Sequence, residues 1–314
     1  MTAPAQALRV RDRNDIRQIA GAAVVSGEVH QLANGLAGYK KGLTSAAIND
    51  AVAYESWGQV TLPKAANICL LDGGRAYWDH TNQVVTFKRT SARDFLLGSI
   101  VGDAAAADAS CTVNLNEHPY YDLDLYRDRV TVTPVLTAGA PSFSNKIFLL
   151  DNTNEAEKID AINVDGFSTG SKCIIEAAIN VTADDSSTHA IFSIGAASGT
   201  HATAFTSITN SIGIQVKAHD TKIYAESVTA ATTVAPTDTT KTYTAGTRFE
   251  VWIDLRNSSA PAIYVNGVRV LAATVFDVHT SAVDWFLIAH LVKTATTDTM
   301  QVAVDWLRAR QMEQ

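Results

Sequence analysis

The residues of this 314-residue chain whose types could do chemistry are its carboxylates, its histidines and one tryptophan. Glu250 and Asp254 alternate onto one side of the run Phe249-Glu-Val-Trp-Ile-Asp-Leu255, as two acids aimed the same way from a strand would. Four residues of extended chain set them about 13 Å apart, whereas a retaining glycosidase needs its carboxyl groups about 5 Å apart. They read as charges on a polar face. Oxygen donors gather at Asp151, Asn152, Asn154, Asp160, Asn163 and Asp165, and again at Asp184-Asp185, a composition that suits calcium and an ordinary polar loop alike. The eight histidines (His30, His80, His118, His189, His201, His219, His279 and His290) form no H-x-H or H-E-x-x-H pattern. A Ser-His-Asp triad needs no closeness in sequence and stays open, but no G-x-S-x-G elbow is present. The stretch Gly166 to Cys173 approaches a phosphate-binding loop, yet its spacing is shifted and it ends in Cys where Ser or Thr must hold magnesium. No catalytic, metal or cofactor residue is assigned, and the chain is read as a non-enzyme.

Trp252 shares the polar side of the same run. It is the candidate ligand or partner contact, able to stack on a sugar ring or on a neighbouring subunit, although such a Trp more often covers its sheet beneath a loop. A second candidate contact is the arm carrying Arg9, Arg11, Arg13 and Arg17, which concentrates positive charge in an acidic protein. It is either a frayed tail or a latch that lies across an acidic neighbour and orders on assembly.

Composition bounds these readings. The net charge of -7 and pI near 5.6 argue against a nucleic-acid binder, which needs a basic stripe to release counterions. Hydrophobic residues at 46% and charged ones at 18% suit ordinary globular domains, and the length allows two. Cys69, Cys111 and Cys173 are an odd, widely spaced set without zinc spacing, read as free thiols with a Cys69–Cys111 bridge as the minor alternative. No apolar run approaches the ~20 residues of a membrane helix. No leader peptide is expected, and Asp12 and Asp15 argue against a mitochondrial presequence.

The elements that must position these residues are strands. From Gly58 to Val113 short apolar runs break at Pro63, Asp72-Gly73-Gly74 and Asp79-His80-Thr81-Asn82, which predicts a small β-barrel. Residues 21–60 read as short strands, with a helical turn at Ser45 to Tyr54. The chain changes character at 118–145, where Tyr120, Tyr121 and Tyr126 mix with acids and with Pro134, Gly139 and Pro141. From Lys146 onward alternating Thr, Ser, Val and Ile predict a β-sandwich, with Asn266-Gly267 as a type I′ hairpin turn and Met300 to Trp306 as a final strand. The expected organisation is an arm at 1–18, a β-barrel at 19–117, a linker at 118–145 and a sandwich at 146–314.

Two family resemblances sit on these residues. The V-x-L-P-K ending (Val60, Leu62, Pro63, Lys64), the G-x-x-Y-W-D turn (Gly74, Tyr77, Trp78, Asp79), the L-G-x-x-V-G-x-A-A run (Leu97, Gly98, Val101, Gly102, Ala104, Ala105) and the V-x-L-N strand (Val113, Leu115, Asn116) resemble the decoration, or cement, proteins that coat tailed-bacteriophage heads. That likeness covers roughly the first third of the chain. It implies a viral structural protein, made in the host cytoplasm, bound to the major capsid protein on the outside of the virion and self-associated as a homotrimer, with the arginine arm as the candidate capsid contact. The F-E-V-W-I-D-L and I-Y-V-N-G-V-R-V runs resemble the late strands of concanavalin or laminin-G jelly rolls. The resemblance implies an all-β chain, barrel then concanavalin-like jelly roll, and offers as alternative function a lectin-like module that holds the virion to glycans.

Overall fold

The computed structural model describes residues 15–40, 44–126, 130–135, 141–168, 172–184, 188–200, 204–229, 232–279 and 284–311. The chain is all-β and divides into two compact units, 1–120 and 121–314.

The first unit holds two sheets. β1 (Asp15–Ile19), β2 (Val29–Gln31), β3 (Ala37–Lys40) and β4 (Ala51–Glu55) pair in the order β1-β4-β3-β2. Their core is small, built on Ala20, Val24, Leu32, Val52 and Tyr54. The helical turn expected at 45–54 is absent; Ala46 pairs with Val24, Asp50 Oδ2 accepts the Ala47 N–H at 2.7 Å to close a turn, and the chain then runs straight into β4. The second sheet comprises β5 (Gly58–Pro63), β6 (Arg75–Asp79), β7 (Val84–Thr86), β8 (Phe95–Val101) and β9 (Ser110–Leu115), in the order β5-β9-β8-β6-β7. It is not the closed barrel that the sequence predicts. Its two edges meet only at one parallel bridge, Lys64 to Val85, because β7 is three residues long and Pro63, which has no N–H to give, ends β5.

Turn chemistry fixes this sheet. Asp79 accepts hydrogen bonds from the Thr81 and Asn82 amides at 2.9 Å, closing the β6–β7 hairpin at the residues the sequence singles out. Asp94 is almost wholly buried, and its carboxylate collects the amides and hydroxyls of Thr90 and Ser91 and the amide of His80. Burial works against the charge, but those donors prevail and hold the carboxyl below its usual range. Gly98 sits at φ +152 opposite a register shift in β6, where a Cβ would stand 1.9 Å from the Asn114 carbonyl oxygen, so no other residue fits.

The second unit is a jelly-roll sandwich of two antiparallel sheets, in keeping with its sequence pattern. Strands β10 (Leu123–Asp124), β12 (Ser142–Ser144), β13 (Ile147–Leu150), β16 (Cys173–Asp184), β21 (Phe249–Asp254), β22 (Ala262–Val265), β23 (Val268–Val270) and β25 (Met300–Gln311) form one sheet. The other comprises β11 (Val130–Val135), β14 (Glu155–Asn163), β15 (Phe167–Ser168), β17 (Ala190–Ala197), β18 (Ser211–Lys217), β19 (Asp220–Val228), β20 (Thr233–Thr242) and β24 (Asp284–Thr296). The chain crosses repeatedly between the sheets, the connectivity of a jelly roll. Ile175, Phe192, Ile214, Val251, Leu291 and Val302 are among the side chains that fill the space between them. The Asn266-Gly267 turn has both residues at positive φ, 49° and 76°, as a type I′ hairpin requires.

Residues 118–145, expected as a linker, give β10, β11 and β12 to this sandwich. Pro134 is tolerated because β11 lies at a sheet edge, as does β20 with Pro236 at the opposite edge. Residues 15–18, placed in the arm by sequence, belong instead to the paired edge strand Asp15–Ile19. Cys69, Cys111 and Cys173 are free.

Replacing Asp94 with Ala strands several buried donors at once. In urea unfolding of the full chain at pH 7 the variant is expected to lose about 1–3 kcal/mol. The stabilisation that wild type draws from ionised Asp94 is present above the ordinary carboxyl value of 3.8 and disappears as pH falls below it. An unchanged midpoint at pH 7 would contradict this role.

Candidate functional site

Strand alternation put Trp252, Glu250 and Asp254 on an open polar face, but that face is covered. Trp252 is 5% exposed, tilted against Tyr264 with ring centroids 6.1 Å apart, and Glu250 is 2% exposed. The pattern misleads because β21 is an inner strand with both sides packed. Asp254 is held by Arg256 at 2.7 Å, and Glu250 lies 3.4 Å from Arg248, so neither acid is presented to a ligand. On the same side of this sheet Tyr121 donates to Glu176 at 2.7 Å, Glu176 pairs with Arg310, and Arg308 bonds Asp124 at 2.6 Å beneath the Tyr121 ring.

The oxygen-rich segment 151–165 is committed to cations that the chain itself supplies. The buried Lys293 ammonium donates to the carbonyls of Asp151 (2.5 Å) and Thr153 (2.8 Å) and lies 3.3 Å from the Glu157 carboxylate. Asp160 is held by Lys158 at 2.6 Å and by His290 Nδ1, while Asn163 Oδ1 accepts the Leu287 amide at 2.7 Å. Among the described residues no three His, Cys, Asp or Glu side chains converge as a metal site. Asp185 lies outside the described residues.

A different polar arrangement emerges on the outer side of the second sheet. Asp160, His290, Ser193, Gln215, Tyr224 and Asp238 stand directly opposite one another on β14, β24, β17, β18, β19 and β20. Neighbouring strands are about 4.8 Å apart, so the row is about 24 Å long. Its Asp160 end is fully buried and its Asp238 end is half-open. Ser193 donates to Glu226 Oε1 at 2.9 Å. Burial pushes the Glu226 carboxyl up to about 7, with the Ser193 bond and Lys217 pulling the other way. Asp160, His290 and Ser193 thus share a row in the order of a catalytic triad, yet the serine's proton goes to Glu226 and, among the described residues, His290 Nε2 has no partner. Sequence reasoning missed this row, although the repeating polar-or-Gly positions Ser193/Gly195 and Gly213/Gln215 within apolar strands were a legible sign of a distinct face.

Among the described residues of the first unit, Tyr120 (72%) is exposed at its end, and Ile19 (59%), Val25 (55%) and Ile48 (58%) are exposed elsewhere. The latter three lie along the paired segments 19–25 and 45–51, beside the edge strand that carries exposed Arg17. Arg9, Arg11 and Arg13 lie outside the described residues.

Comparison with known proteins bears on this first unit most directly. Residues 10–115 match the phage cement protein family. The cement-like region thus spans both sheets of the first unit and ends at Leu115, at the close of β9. No curated protein matches the chain. Among solved structures, the sandwich is similar to the carbohydrate recognition domain of Emp47p (TM-score 0.43, 9% identity, covering 60% of this chain and 94% of that one). It is also similar to carbohydrate-binding module CBM66 from Bacillus subtilis (TM-score 0.37, 10% identity, covering 57% and 95%). Similarity at this level identifies no ligand for this chain.

Two outcomes follow from the buried charges. Folded Glu226 holds its proton more tightly than an ordinary carboxyl at 4.5, so its stabilising protonation is complete below 4.5 and is lost as pH rises through about 7. Glu226→Gln should therefore raise stability at pH 8 by about 1–3 kcal/mol and flatten the decline between pH 5 and 8, read by denaturant titration. Lys293→Met removes the internal cation and should cost about 3–5 kcal/mol. Ammonium chloride, but not matched sodium chloride, should restore part of that loss in thermal melts.

Proposed function

We propose that this chain is a virion structural protein that decorates the outside of a tailed-phage capsid and stabilises it, binding the major capsid protein through its first unit and displaying the jelly roll outward. The observation that carries this reading is the cement-family match over 10–115, which coincides with a compact unit possessing its own cores. The exposed Ile19, Val25 and Ile48 beside Arg17 give that unit a mixed apolar and basic docking face, the chemistry of a protein interface. Arg9, Arg11 and Arg13 extend the basic contact as a latch. Copies assemble as a homotrimer, so that several weak contacts act together against a symmetric shell. The protein is a binder and not an enzyme.

A second reading concerns the jelly roll: a lectin-like module that holds the virion near glycans. The half-open Tyr224–Asp238 end of the polar row favours it, because a hydroxyl-rich ligand can meet accessible donors and acceptors there.

Purified protein should co-sediment with undecorated heads of its phage and saturate at a symmetry-related number of copies. Ile19→Asp with Ile48→Asp should reduce binding at least tenfold while leaving the melting temperature within a few degrees. Equal binding by this folded variant would remove the proposed docking face, and no binding by wild type would remove the decoration role.

A further inference from the structure

A cleft of about 310 Å³ opens in the first unit where the turn before β2 meets an edge of the second sheet. Leu62, Pro63 and Trp78 give it an apolar wall, and the turn Val25 to Glu28 with His30 gives another. Among the described residues that line it, Glu28 carries the one full charge, and His80 and Gln83 add polar groups. The Glu28 carboxylate is fixed by its own turn. Oε2 accepts the Val25 amide at 2.8 Å, the Glu28 amide donates to the Val25 carbonyl at 3.3 Å, and Gly27, at φ +78, gives its amide to the Lys40 carbonyl at 2.9 Å. Oε1 stands 3.5 Å from His30 Nε2, and the Glu28 side chain is 30% exposed, so the acid remains reachable. The neighbouring lysines are used elsewhere. Lys40 donates to the Thr44 carbonyl, and Lys64, beside Pro63, donates to the carbonyls of Ala65 at 3.0 Å and Ile68 at 2.7 Å.

We infer that this cleft seats one arginine side chain of the major capsid protein. The inference rests on the decoration reading and names its anchoring contact. Val25 belongs both to the cleft wall and to the exposed face proposed to meet the shell, so the cleft opens where the shell lies. Its volume is at the small end of binding pockets and suits a single side chain. A guanidinium donates to Glu28 Oε1 and to the Gln83 side-chain oxygen from one fork. Its weakly hydrated stem and flat face pack along Leu62, Pro63 and Trp78. An acidic side chain is repelled by Glu28, and an apolar one would strip water from the carboxylate without replacing it. Arginines seated in pockets of this kind are among the residues that dominate interface energetics.

Two measurements on the full chain test this. N-acetylarginine amide should shift the His30 and His80 ring signals in NMR titrations of wild type, N-acetyllysine amide should do so at least threefold less, and Glu28→Gln should remove the response. Equal responses to the two amides, or none to either, would overturn arginine as the occupant. In co-sedimentation with undecorated heads, Glu28→Gln should bind at least tenfold more weakly and Glu28→Lys not at all. The Gln oxygen can keep the Val25 bond, so the melting temperature of Glu28→Gln should stay unchanged. Head binding by Glu28→Gln equal to wild type would overturn the cleft as an anchor and leave the decoration reading standing. Loss of self-association by that variant with head binding intact would overturn the capsid as the source and give the cleft to Arg9, Arg11 or Arg13 of a second copy. Failure of wild type to bind heads would overturn the decoration reading together with the capsid arginine.

Discussion

The side-chain amide of Asn116 does for the first unit what a strand pairing would do. Its Oδ1 accepts the Ala37 amide at 2.8 Å, while its Nδ2 donates to the Ala37 carbonyl at 2.9 Å and to the Ser56 carbonyl at 2.5 Å. One residue beyond β9 thereby binds the four-stranded sheet to the five-stranded one. The small sheet depends on that link, since five buried side chains make its core and so few cannot hold a sheet alone. The Asn116 backbone is at φ 58, a conformation Asn tolerates better than most residues, which explains its place at the end of the V-x-L-N strand. The exposed Ile19, Val25 and Ile48 are carried on the sheet so anchored, so the proposed docking face inherits its position from this amide.

The sandwich solves a related problem by pairing charges inside. Lys293 closes the turn after β13 with an ammonium where a loop of carbonyls and a carboxylate could have taken a metal ion. Glu176 and Arg310 pair beneath Tyr121. Such pairs add little net stability over apolar packing, but breaking one leaves a buried charge alone.

Short-range chemistry was legible in the sequence and long-range covering was not. Asp79 and Asn266-Gly267 act locally, so their types announce the hairpins they form, whereas the reach of Asn116 to Ala37 and Ser56 spans 79 and 60 positions and leaves no local sign. Trp252 shows the limit: its strand alternates cleanly, yet burial depends on what lies over each face, and the pattern of one strand carries no record of that. Residues 118–145 looked like a linker because proline suggests a break, although an edge strand accommodates it. The row from Asp160 to Asp238 draws on six strands, with Asp160 and His290 alone 130 positions apart, and only their pairing register brings it together.

The account joins a cement-like unit, whose exposed side chains suit an interface, to a jelly roll whose outer polar row is buried except at its Tyr224–Asp238 end. Its central claim is that the first unit faces the shell. Electron cryo-microscopy of decorated heads tests that most directly, by locating each unit in the added density. The account predicts residues 15–120 against the capsid, with Ile19 and Ile48 at the contact, and the sandwich outermost. Density that places the sandwich on the shell and residues 15–120 in solvent would contradict it.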